Sequence, residues 1–333
     1  MKTFIIAEIG VNHNGKIDLA KKLIKIAKNS GADAVKFQSY ISKDLVSKKA
    51  KLASYQKKKV KHNSMLTMLE RYELKKKDQK FLFKYCKKEN IEFISSAFDL
   101  SSLDFLANEL NLKRLKVPSG EITNLPYLKE LAKTKKSIIL STGMANTAEI
   151  QRALKVLKKN GVKNNMISIL HCNTAYPTPI NDSNLKSIPF LKKKFKLKVG
   201  FSDHTIGMEA ALAAVTLGAN IIEKHLTLNK KLIGPDHASS MTPNEFKNMV
   251  LSIRKVELCL GKKNKPVTKS EKKNIKFVRK SIVAKKTILK GEKFNHQNLT
   301  TKRPGTGISP FLWNKVLKLK AKKNFKQDEL IKI

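Results

Sequence analysis

Short apolar runs alternate along residues 1–261 with longer stretches in which apolar residues recur at helical spacing. A short apolar run rich in β-branched residues is typical of a buried strand, and the helical period is typical of an amphipathic helix. Their alternation predicts βα units around a parallel sheet. The predicted strands are Thr3–Ile9, Ala34–Gln38, Glu92–Ala97, Arg114–Val117, Ser137–Ser141, Ile167–Cys172, Lys198–Phe201 and Asn220–His225.

Eight such strands, each followed by a helix, close most economically into a (β/α)8 TIM barrel, an α/β fold whose active site lies at the carboxyl ends of the strands. The predicted helices include Lys16–Ser30, Lys76–Asn90, Thr147–Asn160, Gly207–Leu217 and Pro243–Leu260. Residues 40–75 interrupt the rhythm with a lysine-rich insertion between the second strand and its helix. Loops of this length are commonly lids, interface segments or disordered linkers, and we place this one above the barrel mouth.

The last part of the chain has a different pattern. Residues 262–276 are polar and lysine-rich, which is typical of an exposed linker. Residues 277–333 contain short β-like runs at Ser281–Ala284 and Leu317–Leu319 and little helical period. We therefore predict a barrel over 1–261, a linker, and a small mostly-β domain that leans on a larger body.

The formal net charge of +43 suggests a nucleic-acid or anionic-surface binding protein as an alternative. Only six of the 69 basic residues are arginine, however, and the lysines are spread along the whole chain. Nucleic-acid sites generally use the planar arginine fork as well as lysine. We therefore expect solvated helix faces and no specific nucleic-acid site.

Cysteine usage and hydropathy bear on the compartment. The three cysteines are far apart and odd in number, so they suggest neither a disulfide framework nor a paired-cysteine metal site. The amino-terminal apolar stretch is too short for a signal peptide, and the nearly apolar run at 210–222 is too short to span a membrane. We expect a cytoplasmic protein without a membrane segment.

Two histidines end consecutive predicted strands, His204 after the seventh and His225 after the eighth. Neighbouring strands lie about 4.8 Å apart, so two inward imidazoles there could share one cation. Each could instead cap its strand or bond within a crowded core. Their matched positions favour a catalytic metal, and oxygen-rich surroundings favour Mn²⁺ or Mg²⁺.

Lys36 and Lys116 lie within strands whose neighbouring positions are apolar. With Ser119, Ser141 and Thr142 they could hold a phosphate by charge and hydroxyl donors, although a Schiff-base aldolase is an alternative. Glu8 and Glu121 end strands beside these cations and are either ion-pair partners or acid–base catalysts. Gln38, Ser96, Asn173 and Ser202 are further polar candidates for substrate binding at strand ends.

Nine segments, taken together, give a specific resemblance. They are AEIGVNHNG (7–15), AVKFQS (34–39), KVPSGE (116–121), ILSTGM (139–144), LHCNTAYPTP (170–179), GFSDHT (200–205), EKHLT (223–227), GPDHASSM (234–241) and KRPGTGISP (302–310). In this order they resemble the sialic acid synthase family, which includes N-acetylneuraminate and legionaminate synthases. The resemblance covers the chain from end to end.

This resemblance implies a metal-dependent barrel joined to a carboxyl-terminal SAF (antifreeze-like) domain, in a domain-swapped homodimer whose SAF domains reach over the partner's active site. It implies that phosphoenolpyruvate, an N-acylated amino sugar and water give a nonulosonic acid and phosphate. Another phosphoenolpyruvate-dependent barrel synthase remains an alternative within enzymes.

Position by position, the resemblance assigns roles to the motif residues. His204 and His225 would bind the metal, and Lys36, Lys116, Ser119, Ser141 and Ser96 would hold phosphoenolpyruvate. Glu8, Gln38, Tyr176, Ser202 and Asp236 would surround the sugar and a water molecule, and Arg303 would engage the sugar's N-acyl group from the other subunit. Thr174 and His237 depart from the neuraminate pattern, and His237 after Asp236 suggests a legionaminate-type synthase. Which acylated sugar is used stays open.

Overall fold

The structure is a computed structural model that describes residues 2–47, 50 and 64–333. Its eight parallel strands are β1 (Phe4–Gly10), β2 (Ala34–Ser39), β3 (Glu92–Ala97), β4 (Arg114–Val117), β5 (Ser137–Ser141), β6 (Ile167–Cys172), β7 (Lys198–Asp203) and β8 (Ile221–His225). They pair in chain order, and β8 closes on β1. The predicted TIM barrel is confirmed.

The helices described within residues 1–261 pack outside the strands. They are α1 (Ile17–Asn29), α2 (Ser42–Leu45), α3 (Met65–Tyr72), α4 (Lys76–Lys88), α5 (Leu100–Asp104), α6 (Leu125–Lys133), α7 (Thr147–Lys159), α8 (Ser187–Phe195), α9 (Glu209–Thr216) and α10 (Pro243–Leu260). The outward strand residues, for example Ala7, Val35 and Phe37, form one large apolar core with these helices, except α2 and α3. This outer core leaves the barrel interior available for polar groups.

Strand alternation explains how the interior is divided. At the amino-terminal end, six inward side chains form a separate apolar layer: Ile6, Ala34, Ile94, Ile139, Leu170 and Ile221. Two residues further along, the same face of the strands carries Glu8, Lys36, Ser96, Ser141, Cys172 and Glu223. The polar layer therefore lies toward the carboxyl ends of the strands, where a TIM barrel has its site.

The chain divides into two compact units, Met1–Gly261 and Lys262–Ile333. The second unit contains α11 (Lys269–Val278), α12 (Trp313–Val316) and the antiparallel pair β9 (Ser281–Ala284) and β10 (Leu299–Lys302). Its own small core is Ile282, Ala284, Ile288, Phe294, Leu299, Val316, Ala321, Phe325 and Ile331.

Two details of the second unit differ from expectation. Part of the predicted linker is α11, which begins with a capping box in which Thr268 and Glu271 bond each other's backbone N–H. The predicted β-run Leu317–Leu319 is wrong. Its amides continue the turn of α12, since Leu317 N donates to the Trp313 carbonyl and Leu319 N to that of Val316.

Of the insertion predicted at 40–75, the structure describes α2, α3 and their adjoining residues, and the rest lies outside the described residues. Met65, at the start of α3, lines the barrel cavity together with Phe98. The described ends of the insertion thus border the barrel mouth. No helix of the described residues is both long and apolar enough to cross a membrane.

Candidate active site

A cavity of about 500 Å³ opens at the carboxyl ends of the strands. The predicted residues that line it are Glu8, Lys36, Gln38, Ser96, Lys116, Ser119, Ser141, Tyr176, Ser202, His204 and His225. The pairing register of the strands brings some of these residues together, because Glu8 lies opposite Lys36 on β2 and opposite His225 on β8. Side chains distant in sequence thereby share one space.

Four charged side chains form a buried cluster at the floor of this cavity. Lys36 Nζ lies 2.5 Å from Glu8 Oε2 and 3.9 Å from Glu223 Oε2, and Lys116 Nζ lies 3.9 Å from Glu223 Oε1. Lys116 Nζ also donates to Ser141 Oγ at 2.6 Å, and Lys36 Nζ donates to Ser96 Oγ at 3.2 Å. Two ammonium groups therefore face the cavity beside serine hydroxyls.

Burial and neighbouring charge oppose each other in this cluster. Burial raises the pKa of Glu8 to about 7, although Lys36 opposes the rise. Burial alone would raise the pKa of Glu223, but Lys116 and Lys36 outweigh it and the pKa is lowered. Burial lowers the pKa of Lys116, while for Lys36 the two carboxylates outweigh burial and the pKa is raised. Glu8 is the acid of the cluster that titrates near neutral pH.

The two predicted metal ligands lie side by side, with His204 and His225 ring centroids 5.5 Å apart. Tyr176 covers His204 at a centroid distance of 4.1 Å. His204 Nδ1 donates to the Asn173 carbonyl at 2.5 Å, so its Nε2 keeps a lone pair. Burial lowers the pKa of both imidazoles, that of His204 to about 4. Neutral imidazole is the form that binds metal ions.

Several features fit a divalent cation between these rings. His225 Nδ1 is buried without a hydrogen-bond partner among the described residues, and Asp236 Oδ2 lies 4.0 Å from it. Gly10, at φ +54°, keeps space open, because a Cβ there would lie 2.9 Å from Glu8 Oε1 and 3.5 Å from His225 Cε1. The described residues contain no group of three or more His, Cys, Asp or Glu side chains placed to hold a metal. A cation here would need ligands from water or substrate, as catalytic ions do.

Four predicted residues lie elsewhere. Glu121 is not part of the cavity lining, and its Oε2 accepts a hydrogen bond from Asn124 at 2.6 Å. Asn173 is also outside the lining, and its Oδ1 accepts from Ala175 N, so it shapes the loop that holds His204. Asp236 lines a neighbouring cavity together with His225. Arg303 is exposed in the second unit.

Sequence reasoning left Glu223 out of the proposed site, although this residue links both lysines. Its Oε1 accepts from Ser202 Oγ at 2.8 Å, and its Oε2 makes no hydrogen bond within the described chain. The signal was its position two residues before His225, which puts both side chains on the inward face of β8.

Behind the histidines, the outward face of the same strands carries a second buried pair. Lys224 Nζ donates to Asp203 Oδ2 at 2.7 Å and to the Thr205 carbonyl at 2.6 Å. Asp203 Oδ1 accepts from the backbone N–H and the hydroxyl of Thr205. These bonds fix the chain on both sides of His204.

His237 joins the loops that follow β1 and β8. Its Nδ1 lies 2.7 Å from Thr227 Oγ1, and its Nε2 donates to Asn14 Oδ1 at 3.1 Å. The side chain is fully buried and does not line the barrel cavity. His237 therefore anchors the loop that carries Asp236 through these two contacts.

Comparison with known proteins identifies relatives of both units. The NeuB family model matches residues 23–265, and the SAF domain model matches residues 279–333. The N,N'-diacetyllegionaminic acid synthase of Campylobacter jejuni is 56% identical over 332 residues, covering 99% of each chain. The enzyme of that name from Legionella pneumophila is 45% identical over 93% of this chain and 88% of its own.

A solved structure has the same fold. The N-acetylneuraminic acid synthetase of Leptospira borgpetersenii is 33% identical and superposes with a TM-score of 0.74. The match covers 83% of this chain and 90% of that one.

Proposed function

This chain belongs to the NeuB family, and we propose that it is a nonulosonic acid synthase that condenses phosphoenolpyruvate with an N-acylated amino sugar and water, releasing phosphate. The observation that carries the proposal is the cavity at the strand ends, in which two buried lysines and serine hydroxyls face two neutral imidazoles. The lysine side supports binding of an anion, and the imidazole side supports activation of a carbonyl.

The lysine side suits phosphoenolpyruvate. Lys36 and Lys116 would donate hydrogen bonds to its phosphate and carboxylate, and Ser96, Ser119 and Ser141 would add hydroxyl donors. Buried ammonium groups act strongly because little water screens them. Gly143 N donates to Ser119 Oγ at 3.0 Å, which orients that hydroxyl within the lining.

The reaction joins C3 of phosphoenolpyruvate to the aldehyde carbon of the open-chain sugar. The aldehyde oxygen gains a proton, and a water molecule adds to C2 and loses a proton. The bond between C2 and the phosphate oxygen then breaks, the C2 hydroxyl loses its proton as the ketone forms, and phosphate leaves. Glu8 is best placed to hold a proton in these steps, since its pKa of about 7 populates both forms near neutral pH. Glu121, the other carboxylate predicted to act as an acid–base catalyst, accepts a hydrogen bond from Asn124 instead.

We propose Mn²⁺ or Mg²⁺ as the cofactor, held by His204 and His225. When bound, such an ion supplies Lewis-acid polarisation of the sugar's carbonyl oxygen. Tyr176 packs against both rings and restricts their rotation. Gln38 and Ser202 in the lining, and Asp236 beside His225, would bind the sugar hydroxyls.

We further propose a cytoplasmic homodimer in which Arg303 engages the N-acyl group bound by the partner subunit. Support comes from the position of Arg303 on an exposed loop of the unit that the SAF model matches. The names of the Campylobacter and Legionella relatives favour a diacetamido sugar over N-acetylmannosamine.

The test follows phosphate release from phosphoenolpyruvate with Mn²⁺ and a panel of N-acylated amino sugars. We expect release that needs both substrates, stops with a chelator and resumes when Mn²⁺ is restored. His225→Ala should abolish turnover, whereas His296→Ala, an exposed histidine of the second unit, should not. Turnover that survives chelation, or borohydride trapping of a sugar on Lys116, would contradict the proposed chemistry.

A further inference from the structure

A buried ion pair lies back to back with the two candidate metal ligands. Asp203 and Lys224 are opposite each other in the pairing of β7 with β8, and each directly precedes one of the imidazoles. Because successive side chains of a strand point to opposite faces, the pair faces the helical layer while His204 and His225 face the barrel cavity. The described lining of that cavity includes neither Asp203 nor Lys224, so the proposed reaction does not use them directly.

The strand face that carries this pair is otherwise apolar. Two residues earlier, the same outward face of β7 and β8 carries Phe201 and Ile222, both within the large apolar core. Replacing a buried ion pair by apolar side chains of similar volume is often neutral or stabilising, so stability alone does not account for charges at this position. The bonds that the pair makes indicate another role.

These bonds tie the segment around His204 to the strand that carries His225. Lys224 Nζ donates to Asp203 Oδ2 at 2.7 Å and to the Thr205 carbonyl at 2.6 Å, so its two partners lie on either side of the histidine. Asp203 Oδ1 also accepts from Thr205 N at 2.9 Å and from the Thr205 hydroxyl at 2.7 Å. Sliding one imidazole past the other would therefore stretch two charge-assisted bonds where little water can replace them.

The two rings are held in different ways. His204 is oriented directly, because its Nδ1 donates to the Asn173 carbonyl. His225 Nδ1 makes no hydrogen bond to any described residue. In metal sites a ligand histidine is commonly oriented by a hydrogen bond at the ring nitrogen that does not bind the metal. The placement of His225 must therefore come from packing and from its strand, which Lys224 ties to β7.

We propose that Asp203 and Lys224 are positioning residues for metal binding, and that their ion pair clamps β7 to β8 and so sets the relative placement of His204 and His225. This inference rests on the proposed function, which supplies the cation. Because the described residues offer the cation no group of three or more His, Cys, Asp or Glu ligands, the geometry between two imidazoles strongly affects its affinity. Changing the groups that support a metal ligand typically lowers metal affinity about 10–100-fold.

The first experiment measures Mn²⁺ binding to the metal-free protein without substrates, by electron paramagnetic resonance of the free ion. The test variant is Lys224→Met/Asp203→Asn, because it removes the ion pair without leaving a buried charge unpaired. We expect its Kd for Mn²⁺ to rise about 10–100-fold while urea unfolding still shows a folded protein. Thr205→Val, a milder variant that keeps the ion pair and removes only the hydroxyl bond to Asp203, should raise Kd by a smaller factor.

The two ways in which this experiment can fail are distinguishable. A wild-type Kd for Mn²⁺ in the folded variants would overturn the clamp and leave the proposed function intact. If the wild-type protein itself did not bind Mn²⁺, the proposed cofactor would be overturned together with the clamp.

The matched control is Arg254→Met. Arg254 Nη2 lies 3.1 Å from Asp33 Oδ2, and this partly buried ion pair ties α10 to the start of β2, at the other end of the barrel from the imidazoles. The variant should lower the unfolding temperature but leave Kd for Mn²⁺ unchanged. An equal loss of Mn²⁺ affinity in Arg254→Met would mean that general loosening weakens the site, and the clamp would be refuted.

The second experiment separates the two sides of the barrel cavity. Phosphoenolpyruvate is proposed to bind Lys36 and Lys116, on β2 and β4, which the clamp does not contact. In the double variant, the Mn²⁺ concentration for half-maximal phosphate release should rise about 10–100-fold. The KM for phosphoenolpyruvate at saturating Mn²⁺ should keep its wild-type value. A parallel rise of both quantities would contradict a positioning role, since a loosened barrel would weaken both sides.

Discussion

Replacing Lys224 by methionine tests how the strands that carry the imidazoles are held. Lys224 and Asp203 have side chains only 1% and 0% exposed, with Nζ 2.7 Å from Oδ2. Methionine keeps most of the apolar stem of lysine but removes the ammonium group. Asp203 would then keep its bonds from Thr205 but lose its only buried counter-charge among the described residues.

The expected cost is large because an uncompensated buried charge remains. Removing one partner of a buried ion pair costs about 3–5 kcal/mol. For a unit of this size each kcal/mol lowers Tm by about 2–4 °C, so the unfolding temperature should fall by about 10 °C. Lys133→Met is the control, since Lys133 and Glu130 are 68% and 47% exposed and such pairs contribute about 0–1 kcal/mol.

The assay is thermal and urea unfolding of Lys224→Met, of the control Lys133→Met, of Asp203→Asn, and of the double variant Lys224→Met/Asp203→Asn. Because the double variant removes the stranded charge, it should be more stable than Lys224→Met alone by about 2 kcal/mol. Loss of less than about 1 kcal/mol in Lys224→Met, or strict additivity of the two changes, would refute this account of the buried pair.

Two further predictions concern protonation and loop geometry. Burial raises the folded-state pKa of Glu8 from 4.5 to about 7, so the folded state binds this proton more tightly than the unfolded state does. The wild-type protein therefore loses free energy of unfolding as pH rises from 4.5 to 7. Relative to wild type, Glu8→Gln should therefore gain up to about 3 kcal/mol between pH 4.5 and 7, measured by urea unfolding at each pH; a flat difference would contradict this. His237→Ala should cost about 1–3 kcal/mol and raise the sugar KM more than it lowers kcat, because it frees the loop that carries Asp236. Unchanged stability and KM would contradict the role of His237.

The barrel was predictable because a parallel strand buried on both sides gives a continuous apolar run. Strands such as Glu92–Ala97 and Ser137–Ser141 have the predicted bounds. The structure of the second unit was harder to predict. Its helix α11 has no buried residue, and the only clear sequence signal for that helix is the capping box at Thr268. The run Leu317–Leu319 looked like a strand because its apolar residues alternate, but local turn bonds determine its structure.

Within the site, predictions succeeded where strand alternation fixes the direction of a side chain. Lys36, Lys116 and His225 lie on strands, and all three face the cavity. Glu121 and Asn173 follow their strands, where the turn and not the pleat sets direction, and both side chains bond locally. Alternation also places Glu223 on the inward face of β8, two residues before His225.

The charge balance of the buried cluster shows what the raised pKa of Glu8 can do. Two lysines face two glutamates, so the floor of the cavity is formally neutral although the whole chain has a net charge of +43. A phosphorylated carboxylic acid placed there would bring uncompensated negative charge into a site with little water. Glu8 can remove one such charge by taking a proton, since its pKa is already about 7 and a neighbouring anion would raise it further. The charges of the surface lysines are screened by water and salt, so they cannot replace the protonation of Glu8 in compensating a buried anion.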